Sequence, residues 1–324
     1  MLLIASIGSP ALWVGFLCFV LLMVALDLGV FHKKAHQVSL REAVGWSLVW
    51  VSLAGVFNLG VWYWFGPERA LEFTTGYVIE KALSVDNIFV FVVIFGALRI
   101  PADLQHRVLI WGILGALVLR AIFIGVGTAL ITRFHWTIYV FGGILLITGI
   151  KLLFAGSEEP HPEKNPLVRL FRRLVPSTPA IHGEKFFVVE NGRRVSTPLL
   201  MALVTVEATD VVFAVDSIPA IFAVTLDPFI VFTSNIFAIL GLRALYFLLA
   251  GVLDRFHYLK YGLACVLLFV GGKMVASSWV KVPILVSLGV IALLLSGSIV
   301  TSMLRPRADL KAAGPPPGPP AGVP

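Results

Sequence analysis

Glu80-Lys-Ala-Leu-Ser-Val-Asp86-Asn87-Ile88 and Asp210-Val-Val-Phe-Ala-Val-Asp216-Ser217-Ile218 share one pattern, 130 residues apart. An acid, five residues, then Asp-(Asn/Ser)-Ile recurs, and both copies sit inside long apolar runs. A charge at the centre of a bilayer costs roughly 2.5 kcal/mol or more, so acids there usually face a site or a pathway rather than lipid.

Composition makes the membrane setting firm. Mean hydropathy is +0.94 and only 13% of the 324 residues are charged, against roughly 25% in soluble domains. Nine apolar segments, at about 11–31, 43–65, 73–98, 108–131, 136–154, 199–224, 229–252, 259–277 and 282–303, each approach the length of a spanning helix. The first lacks a positive leader and reads as a retained span. The fold class expected is therefore an all-α polytopic membrane protein with about nine transmembrane helices. Two cysteines, Cys18 and Cys265, both in apolar runs, imply neither a disulfide framework nor a thiolate metal site.

With the N-terminus outside and the C-terminus cytoplasmic, seventeen loop Lys and Arg fall inside and three (Arg69, Arg133, Lys281) outside. That is the positive-inside bias of a multi-pass inner-membrane protein. The net charge of +7 thus needs no nucleic-acid partner. The lipid bilayer is the one partner that composition demands. Oligomeric state and protein partners are left open.

The repetition extends past the acids. Leu-Val-Leu-Arg120-Ala matches Leu-Gly-Leu-Arg243-Ala, Arg133-Phe134-His135-Trp136 matches Arg255-Phe256-His257-Tyr258, and Gly149-Ile-Lys151 matches Gly271-Gly-Lys273. Each unit holds three spans, an odd number, so the second copy enters the membrane inverted. Two inverted three-helix repeats are a transporter architecture with its site near the midplane. The chain divides into an N-terminal two-helix segment (1–72), repeat 1 (73–154), a cytoplasmic loop (155–198), repeat 2 (199–277), a C-terminal helix (278–304) and a Pro/Gly-rich tail (305–324) expected to be disordered. Within the loop, arginines 169, 172 and 173 among apolar residues suggest a basic interfacial helix. Asn191-Gly192 suggests the turn of a small hairpin.

Helical periodicity puts Glu80 and Asn87 on one face, and Glu207, Asp210 and Ser217 on another, with Asp86 and Asp216 flanking. Carboxylates with Asn87 and Ser217 as secondary ligands suit hard cations such as Mn²⁺, Mg²⁺ or Ca²⁺. Pro219 should kink its helix and free carbonyl oxygens near those acids. All seven histidines lie in loops or at span ends, which disfavours zinc, copper and haem, and there is no His-Glu-x-x-His. Arg120 and Arg243 lie mid-span and could each pair with an acid; even then three of five negative charges are left to be met by protons or a cation. Lys81, Lys151 and Lys273 are read as snorkelling or paired locally, and Asn58 as an interhelical hydrogen-bond former.

At these residues the chain resembles a known family. Glu80-Lys-Ala-Leu-Ser-Val-Asp-Asn, Val206-Glu-Ala-Thr-Asp-Val-Val-Phe-Ala-Val-Asp-Ser-Ile-Pro-Ala-Ile-Phe-Ala-Val224, Asp227-Pro-Phe-Ile-Val and Asn235-Ile-Phe-Ala-Ile-Leu-Gly-Leu-Arg-Ala are similar to signature segments of the TerC family, in its alkali-induced Alx-type branch. The resemblance implies an inner-membrane protein of the LysE-like transporter group, tied to manganese export, metal homeostasis and tellurium resistance. It also implies functional acids at Glu80, Asp86, Glu207, Asp210 and Asp216. An oxyanion fits five carboxylates poorly, so a tellurite phenotype is read as indirect.

The expectation is a divalent cation transporter, with Mn²⁺ as the transported ion, efflux coupled to protons, and no tightly bound cofactor. The alternatives are a non-transporting membrane scaffold for metal or tellurite stress, and transport of Ca²⁺ or a cationic amino acid. No nucleophile–base pair or cofactor motif occurs, so no catalytic residues are assigned and an enzyme is not expected.

Overall fold

The computed structural model describes residues 6–31, 40–154, 166–190, 192–250 and 258–304. The Arg255-Phe256-His257 motif, Asn191, the first part of the cytoplasmic loop and the Pro-rich tail lie outside the described residues.

The described chain is nearly all helical. In order it forms α1 (Pro10–Phe31), α2 (Leu40–Phe65), α3 (Pro67–Ala97), α4 (Ala102–Arg133), α5 (Thr137–Phe154), α6 (Pro166–Leu174), β1 (Phe187–Glu190), β2 (Arg193–Ser196), α7 (Pro198–Phe222), α8 (Pro228–Leu240), α9 (Leu242–Leu249), α10 (Leu259–Val275) and α11 (Ile284–Leu304). Among the described residues, α2, α4, α5, α7, α10 and α11 are long and apolar enough to cross a membrane. The pair α8–α9, bent by 43°, makes a seventh if it is one span. The described apolar part of α1, Pro10–Leu26, is shorter. Although α3 is 31 residues long, its charges keep it out of that set. It can hold those charges because α2, α7, α8 and α11 all pack on it.

Helix limits follow local chemistry. α3 begins six residues before its expected start, because Gly66 (φ 89) breaks the chain after α2 and Pro67 takes the first helical position. α7 stays helical through Pro219 and ends one turn later, at Phe222. The sharp discontinuity lies at Gly241, between α8 and α9. There Lys81 donates to Ala238 O at 3.1 Å, a cation on the carbonyl end of α8. A Cβ at Gly241 would meet that ammonium and the Trp50 side chain.

α8 is the centre of the bundle. Every residue from Phe229 to Leu240 is buried, as expected of a helix apolar on all sides. Asp227 caps its start, accepting from Phe229 N at 2.9 Å, and also accepts from Ser6 Oγ at 2.9 Å and Ile7 N at 2.8 Å. The N-terminal segment is thereby tied to the α7–α8 turn.

α5 and α10 pack together over glycines. A Cβ on Gly271 would lie 2.9 Å from Gly142 O, and one on Gly149 would lie 3.1 Å from Ala264 O. Small residues let two backbones approach this closely in a membrane.

The expected hairpin is present, with Phe187 opposite Ser196 and Glu190 opposite Arg193, and Gly192 at φ 75. Arg107 of α4 pairs with Glu184 and stacks on Phe186, 5.3 Å from the ring centre, which pins this hairpin to the bundle. In α6, Val168 and Phe171 pack on Met201 and Ala208 of α7, while Arg169 and Arg173 are exposed. Asn58 donates to Thr74 Oγ1 at 2.8 Å, the interhelical bond expected for it.

Gly271→Val should lower stability by about 1–3 kcal/mol, the usual cost of overpacking. Gly272→Ala, where a Cβ meets nothing within 4 Å, should be silent. Thermal unfolding of the two detergent-purified variants checks the contrast, and equal melting temperatures would contradict the packing described.

Candidate functional site

The mid-span polar residues meet where α3, α4, α7 and α8 adjoin. Glu80 on α3 is 0% exposed and Arg120 on α4 is 3% exposed. Arg120 Nη1 lies 2.6 Å from Glu80 Oε1. The same nitrogen donates to Ser217 Oγ on α7 at 2.8 Å and to Asn235 Oδ1 on α8 at 2.7 Å. One guanidinium thus joins both acid-bearing helices and the central helix.

Asp210, buried on α7, lies within electrostatic range of both Arg120 and Glu80. Two carboxylates therefore face one guanidinium in this cluster. Several polar valences stay unused: Glu80 Oε2, Asp210 Oδ1 and Asn87 Oδ1 are buried and have no hydrogen-bond donor. Buried oxygens of this kind cost about 1–3 kcal/mol each, more when charged, unless a proton, water or cation meets them.

Glu207, one turn before Asp210, is half-buried and lies in range of the Asp210 charge. Its carboxylate fills the space above Gly115 of α4, where any Cβ would collide with it. The other two acids point elsewhere. Asp216 accepts from Thr148 Oγ1 of α5 at 2.8 Å and lies in range of Lys151. Asp86 is half-buried and faces the charge of Lys260 at the start of α10.

The structure therefore joins Glu80, Ser217 and Asn235 through Arg120, holds Asp210 within electrostatic range of them, sets Glu207 and Asn87 close by in sequence, and places Asp86 and Asp216 on flanking contacts. Among the described residues, no three of Asp, Glu, His and Cys lie close enough to hold a metal together in this conformation. Arg243 is buried in the first turn of α9, directly after the break at Gly241.

Two participants were missed by sequence reasoning. Asn235 received no role, although Thr233-Ser-Asn235 is a polar triplet inside the otherwise apolar α8. Thr148 carries no signal, because a threonine within a membrane helix commonly bonds its own backbone.

The class this fold and site define is a multi-pass helical membrane protein with a buried carboxylate–guanidinium cluster at mid-span. The chain belongs to the TerC family: the model of the integral membrane protein TerC family matches residues 65–310. It is 65% identical over 302 residues to a membrane protein of Myxococcus xanthus, covering 93% of this chain and 95% of that one. It is 48% identical over 319 residues (95% and 99% of the two chains) to the Escherichia coli K12 protein named "Putative membrane-bound redox modulator Alx". A Salmonella typhi protein of the same name is 49% identical over 304 residues, covering 91% and 94%. No solved structure matches the chain significantly.

Arg120→Met should cost about 3–5 kcal/mol, because it strands Glu80 in a dry interior. Arg120→Met combined with Glu80→Met should recover most of that loss, since a packed apolar pair can replace a buried ion pair. A double-mutant cycle on thermal unfolding reads the difference. Simple additivity of the two losses would contradict the pairing.

Proposed function

We propose that this protein exports Mn²⁺ across the inner membrane in exchange for protons, through the acids of α3 and α7. The observation that carries the proposal is the surplus of buried acid at mid-span. Glu80 and Asp210 face a single guanidinium, Glu207 stands one turn away, and buried carboxylate oxygens lack donors. Such a site holds protons when it lacks a cation and releases them when a hard cation enters. Oxygen donors without thiol or imidazole favour Mn²⁺ over softer metals.

In this reading the chain crosses the membrane nine times, with α1 and α3 as full spans, N-terminus outside and C-terminus inside. The spans α3–α5 and α7–α10 are inverted repeats. The α5–α10 interface supports that symmetry. Gly142 meets Gly271 and Gly149 meets Ala264, while the sequence repeat aligns 142 with 264 and 149 with 271. Each contact is therefore the other's counterpart under a twofold operation, and the two helices run antiparallel, as inversion requires. Alternating access would then swap Arg120's partners as one repeat rocks on the other, bringing Asp86 or Asp216 toward Glu80 and Asp210.

A second reading, a non-transporting scaffold, is favoured by the ion pair and two hydrogen bonds of Arg120, which suit a fixed strut. The redox modulator named among the relatives fits a manganese carrier that acts on redox balance through the metal it moves.

The two readings separate in cells lacking their own manganese exporter. Wild-type protein should restore growth in excess Mn²⁺, and Asp210→Asn and Asp216→Asn should abolish that protection while reaching wild-type membrane levels. Full protection by Asp210→Asn would remove the carboxylate site from the mechanism.

A further inference from the structure

A cavity of about 610 Å³ opens at the end of the bundle where the N-terminal segment is tied down. Its charged lining comprises Arg69, Glu72, Asp227, Lys273 and Lys281. Both acids accept hydrogen bonds. Glu72 Oε2 accepts from Arg69 at 2.8 Å and from Thr225 Oγ1 at 2.9 Å. Asp227 binds the start of α8 and the N-terminal segment through both oxygens.

The two lysines make no ion pair among the described residues. Lys273 donates to the neutral Ser287 Oγ at 3.0 Å, and Lys281 is exposed. With Arg69, Lys273 and Lys281 against Glu72 and Asp227, the lining keeps one positive charge in excess, and Lys281 carries it at the exposed edge, an arrangement that attracts an anion.

The rest of the wall decides which anion. Phe222, Val224, Leu226, Met274 and Val282 line it, far more apolar surface than a small hydrated ion can use. Between the two lysines, Trp279 is 79% exposed and Val280 55% exposed. Exposed tryptophan at a helix end is the usual anchor at headgroup level. Cationic rim, apolar wall and interfacial position fit a molecule with a phosphate at one end and acyl chains at the other.

We infer that this cavity binds an anionic phospholipid of the surrounding membrane, with Lys273 and Lys281 on its phosphate and the apolar wall against its glycerol and upper acyl carbons. Bound there, the lipid would brace the α7–α8 turn against the α10–α11 connection. The inference is independent of which ion the protein carries.

Native mass spectrometry on the full chain in detergent tests it, titrating phosphatidylglycerol, a diacylglycerol with the same chains, and inorganic phosphate in parallel. Phosphatidylglycerol should be retained as a single adduct and should raise the melting temperature. Lys273→Gln with Lys281→Gln should weaken it about twenty-five-fold, the product of about fivefold for each lysine–phosphate contact. Because Lys281 is exposed, Lys281→Glu alone keeps the fold and should still lower retention at least fivefold. Diacylglycerol binding as tightly as phosphatidylglycerol would reduce the cavity to an apolar groove and overturn the inference. Inorganic phosphate giving the full melting shift would replace it with a small-anion site. Unchanged retention by Lys281→Glu would also overturn it.

Discussion

Nη1 of Arg120 holds α3, α7 and α8 together through Glu80, Ser217 and Asn235. Removing a guanidinium and a carboxylate from water costs several kcal/mol per ion after relaxation, and only close, well-satisfied contacts return it. These contacts are short and the groups almost wholly buried, so the pair is stable as long as nothing separates it. The arrangement is also incomplete. Asp210 adds a second negative charge, and neither oxygen of Glu80 has a hydrogen-bond donor beyond its ion pair with Arg120. The same interaction that fixes the helices leaves a charge deficit at their junction.

That constraint explains features that look odd for a membrane protein. α3 carries too many charges to face lipid, and it packs against six other helices, α2 and α7–α11. α8 is apolar apart from Thr233-Ser-Asn235 and supplies Asn235 to the cluster, because its central position surrounds that amide with partners rather than acyl chains. Lys81, next to Glu80 in sequence, points the other way and caps the carbonyl end of α8. The break at Gly241 therefore has a cation assigned to it, and Arg243 follows within one turn. Gly115 lacks a side chain where the Glu207 carboxylate needs the room.

Much of this was legible in the sequence. Apolar run lengths located the helices, because a bilayer demands about 20 apolar residues per crossing. The β1–β2 hairpin and the amphipathic segment of α6 were readable from local chemistry. The acids announced themselves by their cost in lipid. Less was readable about which acids meet. Glu80 and Asp210 share a junction, whereas Asp216 turns to Thr148 of α5, and that choice depends on how whole helices are rotated. Pro219 does not end α7, which continues to Phe222, and as a proline it leaves the Val215 carbonyl next to Asp216 without its i+4 donor. The real bend, at Gly241, was hidden because a glycine in an apolar run reads equally well as a packing residue.

The most direct test of the central claim is ⁵⁴Mn²⁺ accumulation in everted membrane vesicles, with and without an imposed pH gradient, for wild type and Asp86→Asn. Accumulation driven by the gradient in wild type and lost in the variant is the predicted result. Wild-type vesicles that accumulate no more Mn²⁺ than empty membranes, with the protein present in normal amount, would contradict proton-coupled export.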